Sequence, residues 1–258
     1  MQEPVAAERC VGRVLGVRID ALAWEAVIDR LLSWARARES RFVAICNVHV
    51  VSIASRDSAY RQVIDGADMA TADGAPVAWM LRRLGFTGQE RISGPDLMWR
   101  LCGRAEGEGF EVYFYGSVLE TLDGLADRLR ASFSGLVIAG MESPPFRPLT
   151  DEEDAAVVNR INQSRARIVF VGLGCPKQEF WIAAHRGSVQ AVMIGVGAAF
   201  DFHSGRVKRA PEWMQRNGLE WLHRLASEPR RLWKRYLVTN TLFVIGAARQ
   251  LLFGRSQG

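Results

Sequence analysis

The chain has 258 residues, 48% hydrophobic and 24% charged, a length and composition ordinary for a soluble globular protein of one large domain, or one domain with an appendage. Its net charge of +5 hides a split: residues 206–258 hold 11 Lys and Arg against 3 Asp and Glu, a net of +8, while residues 1–205 carry a net of −3. The four cysteines (Cys10, Cys46, Cys102, Cys175) lie far apart with no Cys-x-x-Cys pair, which signals neither a zinc site nor a disulfide framework and points to a reducing compartment. The first ten residues carry acids and no apolar run, unlike a secretory signal, so a cytoplasmic location is expected.

In chain order, residues 13–18 read as a strand. Residues 22–37 have helical spacing of Leu22, Ala26, Ile28, Leu31, Leu32 and Ala35. A short buried strand is expected at 42–46, a helix from Val48 to about Ile64, and a strand at 69–72 that runs into the Asp73-Gly74 turn signal. A strand at 111–115 leads through Gly116 to Ser117, a plausible N-cap for a helix over 119–133. A short apolar run at 136–139 precedes a proline-rich loop at 143–148. Thr150-Asp-Glu-Glu153 is a capping box with acids in the first turn of a helix. Residues 167–173 and 191–196 are strands ending in glycines, and from Arg209 onward the pattern is helical only. No repeat or low-complexity tract is visible. Strands alternating with helices over about 200 residues predict a Rossmann-like α/β fold: a mostly parallel sheet with helices on both faces, plus a basic helical C-terminal appendage.

Ligands in such sheets sit at the carboxyl ends of the strands. Gly172-Leu-Gly174 and Gly195-Val-Gly197 each supply two of the three glycines of a dinucleotide fingerprint, but Lys177 and Phe200 stand at the third positions and no suitably placed acid follows. A bound NAD is therefore not expected. The loops are candidates for cradling a phosphate or ribose through backbone N–H groups, with Pro176 opening a helix whose N-terminus favours anions. Lys177 stands out as one of only three lysines against thirty arginines. The competing reading is a tight strand–helix turn with solvated polar residues. Asp73, just past a strand on the same edge, has the position of a general base or of a plain Asp-Gly turn. No Asp-x-Asp pair lies at a strand end, and His49, His185, His203 and His223 are scattered, so no metal site is expected.

In the tail, arginines and lysines interleave with Trp213, Trp221, Trp233 and Tyr236 before an apolar segment at 237–248. About a dozen apolar residues are too few to span a bilayer. Basic residues and tryptophan beside an apolar face suit a helix lying in an anionic membrane interface. A helical cap on the core is the alternative. Nucleic-acid binding has only charge in its favour, with no accompanying motif.

These residues also fall in a familiar order: Asn47, Thr71-Ala-Asp-Gly74, Glu90-Arg-Ile-Ser-Gly-Pro-Asp-Leu97, Gly172-Leu-Gly-Cys-Pro-Lys-Gln-Glu179, Gly195-Val-Gly-Ala-Ala-Phe-Asp201, Gly205-Arg-Val-Lys-Arg-Ala-Pro-Glu-Trp213, Gly218-Leu-Glu-Trp-Leu-His-Arg-Leu225 and Glu228-Pro-Arg-Arg-Leu232. From about Gly12 to Tyr236 the chain strongly resembles the WecG/TagA/CpsF glycosyltransferases of bacterial cell-surface polymer synthesis. The resemblance implies an inverting, metal-independent transferase without a cofactor, moving a sugar from a UDP-sugar to a polyprenyl-diphosphate-linked sugar at the inner face of the membrane. It assigns the general base to Asp73. Arg91, Arg209, Arg216, Arg224 and Arg231 become candidates for substrate charge, Asn47 and Gln178 for orienting the sugar, and Asp201 for holding the uridine. Gly172, Gly174, Pro176, Lys177, Glu179, Gly195 and Gly197 form the expected nucleotide side. Many members have Thr-x-Asn where this chain has Ile45-Cys46-Asn47, which removes a hydroxyl from the sugar pocket and fits a donor lacking an acetamido contact.

The expected division is a catalytic core at 1–205 and a membrane-association appendage at 206–258, whose removal is expected to abolish transfer and leave the core folded. A homo-oligomer covering the tail's apolar face is an open alternative. From another functional class, the competitor is a non-catalytic membrane-bound nucleotide-sugar sensor or scaffold.

Overall fold

The structure, a computed structural model, describes residues 10–253. It opens on a hairpin, β1 (Val11–Val14) and β2 (Val17–Asp20), followed by α1 (Trp24–Arg36), β3 (Arg41–Cys46), α2 (Val48–Ala54), α3 (Ser58–Asp65), β4 (Met69–Ala72), α4 (Ala75–Arg83) and α5 (Gly94–Glu108). Next come β5 (Val112–Gly116), α6 (Leu119–Ser132), β6 (Ile138–Glu142), α7 (Asp151–Gln163), β7 (Ile168–Gly172), α8 (Lys177–His185), β8 (Val192–Gly195) and α9 (Ala199–His203). The C-terminal part is helical: α10 (Glu212–Arg216), α11 (Glu220–Ser227) and the 25-residue α12 (Pro229–Phe253).

Among the described residues the main sheet has six strands in the order β4-β3-β8-β7-β5-β6, every pair parallel. Both faces are covered, which is why the strands are apolar runs rather than alternating ones. Phe42, Ala44, Cys46, Val169 and Val171 face one half of the core. Val43, Ile45, Ile168 and Phe170 face the other. The strand ends at Cys46, Ala72, Gly172 and Gly195 bring Asn47, Asp73 and both glycine loops to one edge.

Several expectations shift. The single strand expected at 13–18 is a tight hairpin, with Leu15 and Gly16 turning at φ 51° and 80°. The helix expected from 48 to 64 breaks at 55–57, where Asp57 caps α3 by accepting from the Tyr60 N–H at 3.1 Å. Ser117 does not cap α6: it adopts a positive φ of 66°, and Val118 precedes the helix without a side-chain cap. The strand near 136–139 is displaced to β6. Helices α4 and α5 fall where no element was expected. The capping box on α7 forms as expected, Thr150 and Glu153 exchanging hydrogen bonds of 2.9 and 3.2 Å.

The tail is welded to the core. Ser52 Oγ donates to the Thr239 carbonyl at 3.0 Å, and Phe243 and Ala247 of α12 join Val14, Val50, Val51 and Ala54 in one buried cluster. At the far end, Gln250 Oε1 accepts from the Leu15 N–H at 2.8 Å while its Nε2 donates to the Arg13 carbonyl at 2.6 Å. The expectation that the apolar tail segment is too short to cross a membrane also changes. It belongs to an unbroken helix that is long and apolar enough to do so by length and composition. Its opposite face stays exposed, with Trp233, Leu237, Val238 and Phe253 between about half and four-fifths accessible.

Candidate active site

A cleft of about 1610 Å³ opens along the carboxyl edge of the sheet, floored by the ends of β3, β4, β7 and β8 and walled by α11 and α12. Asp73 sits on its floor at the end of β4, its backbone N–H paired with the Cys46 carbonyl at 3.0 Å. Burial pushes its carboxyl up to about 6. Arg91 pulls it down, Glu220 pushes it up, the Gly74 N–H pulls it down and Asp96 pushes it up. A carboxyl near 6 is ionised at neutral pH yet basic enough to take a proton, the balance a general base needs.

Beside Asp73 lies a four-charge cluster that ties the tail to the core. Arg91 Nη1 pairs with Glu220 at 2.9 Å, and Arg209 reaches Asp96 with both terminal nitrogens at 2.5 and 2.8 Å. Arg209 Nε is 3.2 Å from Glu220, and Ser93 Oγ donates to Asp96 at 2.5 Å. Burial alone would raise the Asp96 carboxyl, but the hydrogen bonds from Arg209 and Ser93 win and hold it at about 2. Arg91 and Arg209, candidates for substrate charge, are thus matched by Asp96 and Glu220. Neither carboxylate stood out in the sequence as a site residue, because 113 and 129 residues separate the partners.

A second charged group gathers around Asp201, which also lines the cleft. Burial raises its carboxyl, while Arg224, Arg206 and Arg231 lower it. Arg224 lies 5.3 Å from the Phe202 ring centroid. Its buried Nε has no hydrogen-bond partner among the described residues, with Glu228 at 3.7 Å. Arg231 pairs with Glu228 at 2.6 Å, and Arg206 donates to Thr121 at 3.1 Å. Arg224 and Arg231 line the cleft. Arg216 does not: it is exposed, paired with Glu212 and outside the cleft.

The glycine loops are built differently from the expectation. Gln178 Oε1 accepts from the N–H groups of both Gly174 (3.2 Å) and Gly197 (3.1 Å), stitching the β7 and β8 loops together. Its Nε2 donates to Glu179 at 2.7 Å. Two of the backbone donors proposed for a phosphate are therefore already used, and the Gln178 amide is committed to the loops rather than free for a sugar. Gly172 is required for packing, since a Cβ there would lie 2.8 Å from the Phe200 ring, and Gly195 similarly faces the Gln178 amide at 3.0 Å. Lys177 is exposed and does not line the cleft, nor does Pro176, which precedes α8 through a cis peptide bond. Glu179 is fully buried beneath the loops, its carboxyl raised by burial. Asn47 lines the cleft and caps α2, its Oδ1 accepting from His49 and Val50 N–H at 3.0 and 3.2 Å. Ile45 lines the cleft beside it.

A six-stranded parallel sheet, with a buried carboxyl and several arginines at its carboxyl edge, defines a Rossmann-like α/β protein whose cleft suits an anionic ligand. The model of the Glycosyl transferase WecG/TagA/CpsF family matches residues 12–257. An N-acetylglucosaminyldiphosphoundecaprenol N-acetyl-beta-D-mannosaminyltransferase of Bacillus spizizenii (strain W23) is 34% identical over 197 residues, covering 76% of this chain and 74% of that protein. A protein of the same name from Bacillus subtilis (strain 168) is 33% identical over 196 residues, with the same coverage of each chain. The chain belongs to the WecG/TagA/CpsF family of glycosyltransferases.

Proposed function

We propose that this protein is an inverting, metal-independent glycosyltransferase that moves a hexose-type sugar from a UDP-sugar to a sugar carried on a polyprenyl diphosphate. The observation that carries the reading is Asp73, a carboxyl held at about 6 on the floor of a cleft whose rim is lined with arginines. The curated relatives are named for acting on an undecaprenyl-diphosphate-linked acceptor, which supports the acceptor class.

Asp73 takes the proton from the acceptor hydroxyl as that oxygen attacks the anomeric carbon. The bond to UDP breaks on the opposite side, and UDP leaves with the bonding electron pair. Its growing charge is met by Arg224, which lines the cleft near Asp201 with no hydrogen-bond partner for its Nε among the described residues, and by Arg231, which shares its charge with Glu228 at the rim. Asp201 is the acceptor group available to the nucleoside. The Arg91–Glu220 pair sets the charge around Asp73 and fastens the tail over it. Ile45, apolar in the sugar pocket, favours a donor without an acetamido group.

The enzyme works on the inner face of the cell membrane, where α12 lies in the interface. Its buried face is hydrogen-bonded to the core at mid-helix (Thr239) and near its C-terminal end (Gln250), which leaves the exposed Trp233, Leu237 and Val238 for lipid and Arg230 and Lys234 for anionic headgroups. A panel of radiolabelled UDP-sugars offered with membrane lipid extract, in the presence of EDTA, tests the reading. One donor should yield a labelled lipid, and Asp73→Asn should abolish the product while sparing UDP binding. Full activity of Asp73→Asn would refute the assignment of the base. UDP binding without product from any donor would favour the sensor.

A further inference from the structure

The cleft continues past the sugar-transfer machinery. One stripe of α12 lines it along nearly the whole helix and changes character on the way, from Arg231 and Arg235 through Thr239 and Asn240 to Phe243, Val244, Ala248 and Leu252. From Phe243 to Leu252 the wall is apolar over ten residues, about 14 Å of helix. Trp79 of α4, 44% exposed, also lines the cleft. A sugar nucleotide has no group that gains from this arm, and apolar surface left open to water is a liability.

The junction of the two arms carries unmatched polar atoms. Arg235 Nε and His49 Nδ1 are both buried without a hydrogen-bond partner among the described residues, and both residues line the cleft. Burial and the charge of Arg235 lower His49 to about 4, so the ring is neutral and its Nδ1–H tautomer donates without adding a cation. Buried donors that lack partners are costly unless a ligand supplies the acceptor. A fixed cation, a neutral donor and an adjoining apolar trough match a diphosphate ester bearing a hydrocarbon chain.

We infer that the apolar stretch of the cleft along the C-terminal half of α12 seats the first isoprene units of a polyprenyl diphosphate, with the diphosphate held at Arg235 and His49. This rests on the acceptor class proposed above and adds the place where its lipid sits. The seat is distinguished by facing the cleft rather than by burial: Val244, 65% exposed, lines it, whereas Ile245, which follows directly and is 54% exposed, does not.

The test is titration calorimetry of the full chain with farnesyl diphosphate below its aggregation concentration, against inorganic diphosphate, without lipid or detergent. Farnesyl diphosphate should bind at least about tenfold more tightly than inorganic diphosphate. Val244→Glu and Ala248→Glu, both at exposed helical positions, should each remove that advantage and leave UDP affinity unchanged. Ile245→Glu should keep it, and Arg235→Gln should weaken both diphosphates. Equal affinity for the two probes, or equal behaviour of Val244→Glu and Ile245→Glu, overturns the inference. Transfer to sugar-diphosphate acceptors with and without a chain separates this from the proposed function. Chain-dependent binding with no transfer from any donor sinks the function and keeps the seat, and transfer at equal KM to both acceptors does the reverse.

Discussion

Replacing Arg91 by methionine should move the acid limb of the transfer rate upward in pH. As the proposed base Asp73 works ionised, so on that reading the wild-type rate falls tenfold per pH unit below its pKa of about 6. The rise from the ordinary 3.8 corresponds to about 3 kcal/mol between the protonated and ionised forms. Arg91 is the main cation opposing that rise, and an adjacent opposite charge is worth ~1–3 pKa units. Without it the limb should centre near ~7 or above. At pH 6 the variant then retains about a fifth or less of the wild-type rate, whereas the two approach each other above pH 8. Glu220→Gln should move the limb the other way, because Glu220 raises Asp73 and also occupies Arg91. The assay is kcat against pH from 4.5 to 8.5 at saturating donor and acceptor. A profile flat through pH 6, or limbs moving together in the two variants, would refute Asp73 as the titrating base.

Stability supplies a companion result. A carboxyl raised by burial destabilises the fold as pH climbs from 3.8 toward 6, so Asp73→Asn should be more stable than wild type at pH 7, by at most about 3 kcal/mol, while losing ~10²-fold or more in rate; calorimetry at pH 4 and 7 checks that the gain vanishes in acid. Gln178→Leu leaves the Gly174 and Gly197 N–H groups unpaired, at about 1–3 kcal/mol each, and should lower Tm and raise KM for the donor. Gly172→Ala drives a methyl into the Phe200 ring and should cost about 1–3 kcal/mol by urea unfolding. Arg230→Glu with Lys234→Glu should weaken binding to anionic vesicles by more than tenfold at low salt, at about 1 kcal/mol per basic residue, with the difference shrinking as salt rises; unchanged sedimentation with vesicles would remove the basic turns of α12 from the membrane contact.

What the sequence discloses here is what local chemistry controls. The Thr150–Glu153 capping box, the β-branched runs of β7 and β8 and the Asp73 turn are written in adjacent residues, so the sheet and its ligand edge are legible. The Leu15–Gly16 hairpin is not, because four-residue strands joined by Leu-Gly lack the usual Asn-Gly or Asp-Gly signal. Helix α5 contains Pro95, Gly103 and Gly107, which obscure its period, yet its Ser93 cap and buried Leu97, Met98 and Leu101 hold it. Long-range pairing is hidden altogether. Nothing near Arg209 announces that Asp96 will consume its charge, or near Gln178 that its amide will join two loops. The sequence therefore names residues that belong to the site while leaving open which contact substrate and which hold the others in place.

The bonds between Gln250 and the hairpin at Arg13 and Leu15 span 237 and 235 positions of chain. During synthesis the sheet, the glycine loops and Asp73 all emerge before α12 does, and domains fold as their residues become available. Contacts of such sequence separation also form late because of the loop entropy they close. The nascent protein thus carries an open trench with an exposed α2 face until α12 has left the ribosome. The element that walls the cleft also carries the exposed apolar and basic face proposed above for lipid, so on that reading completion of the site and formation of the membrane-binding face are a single assembly step.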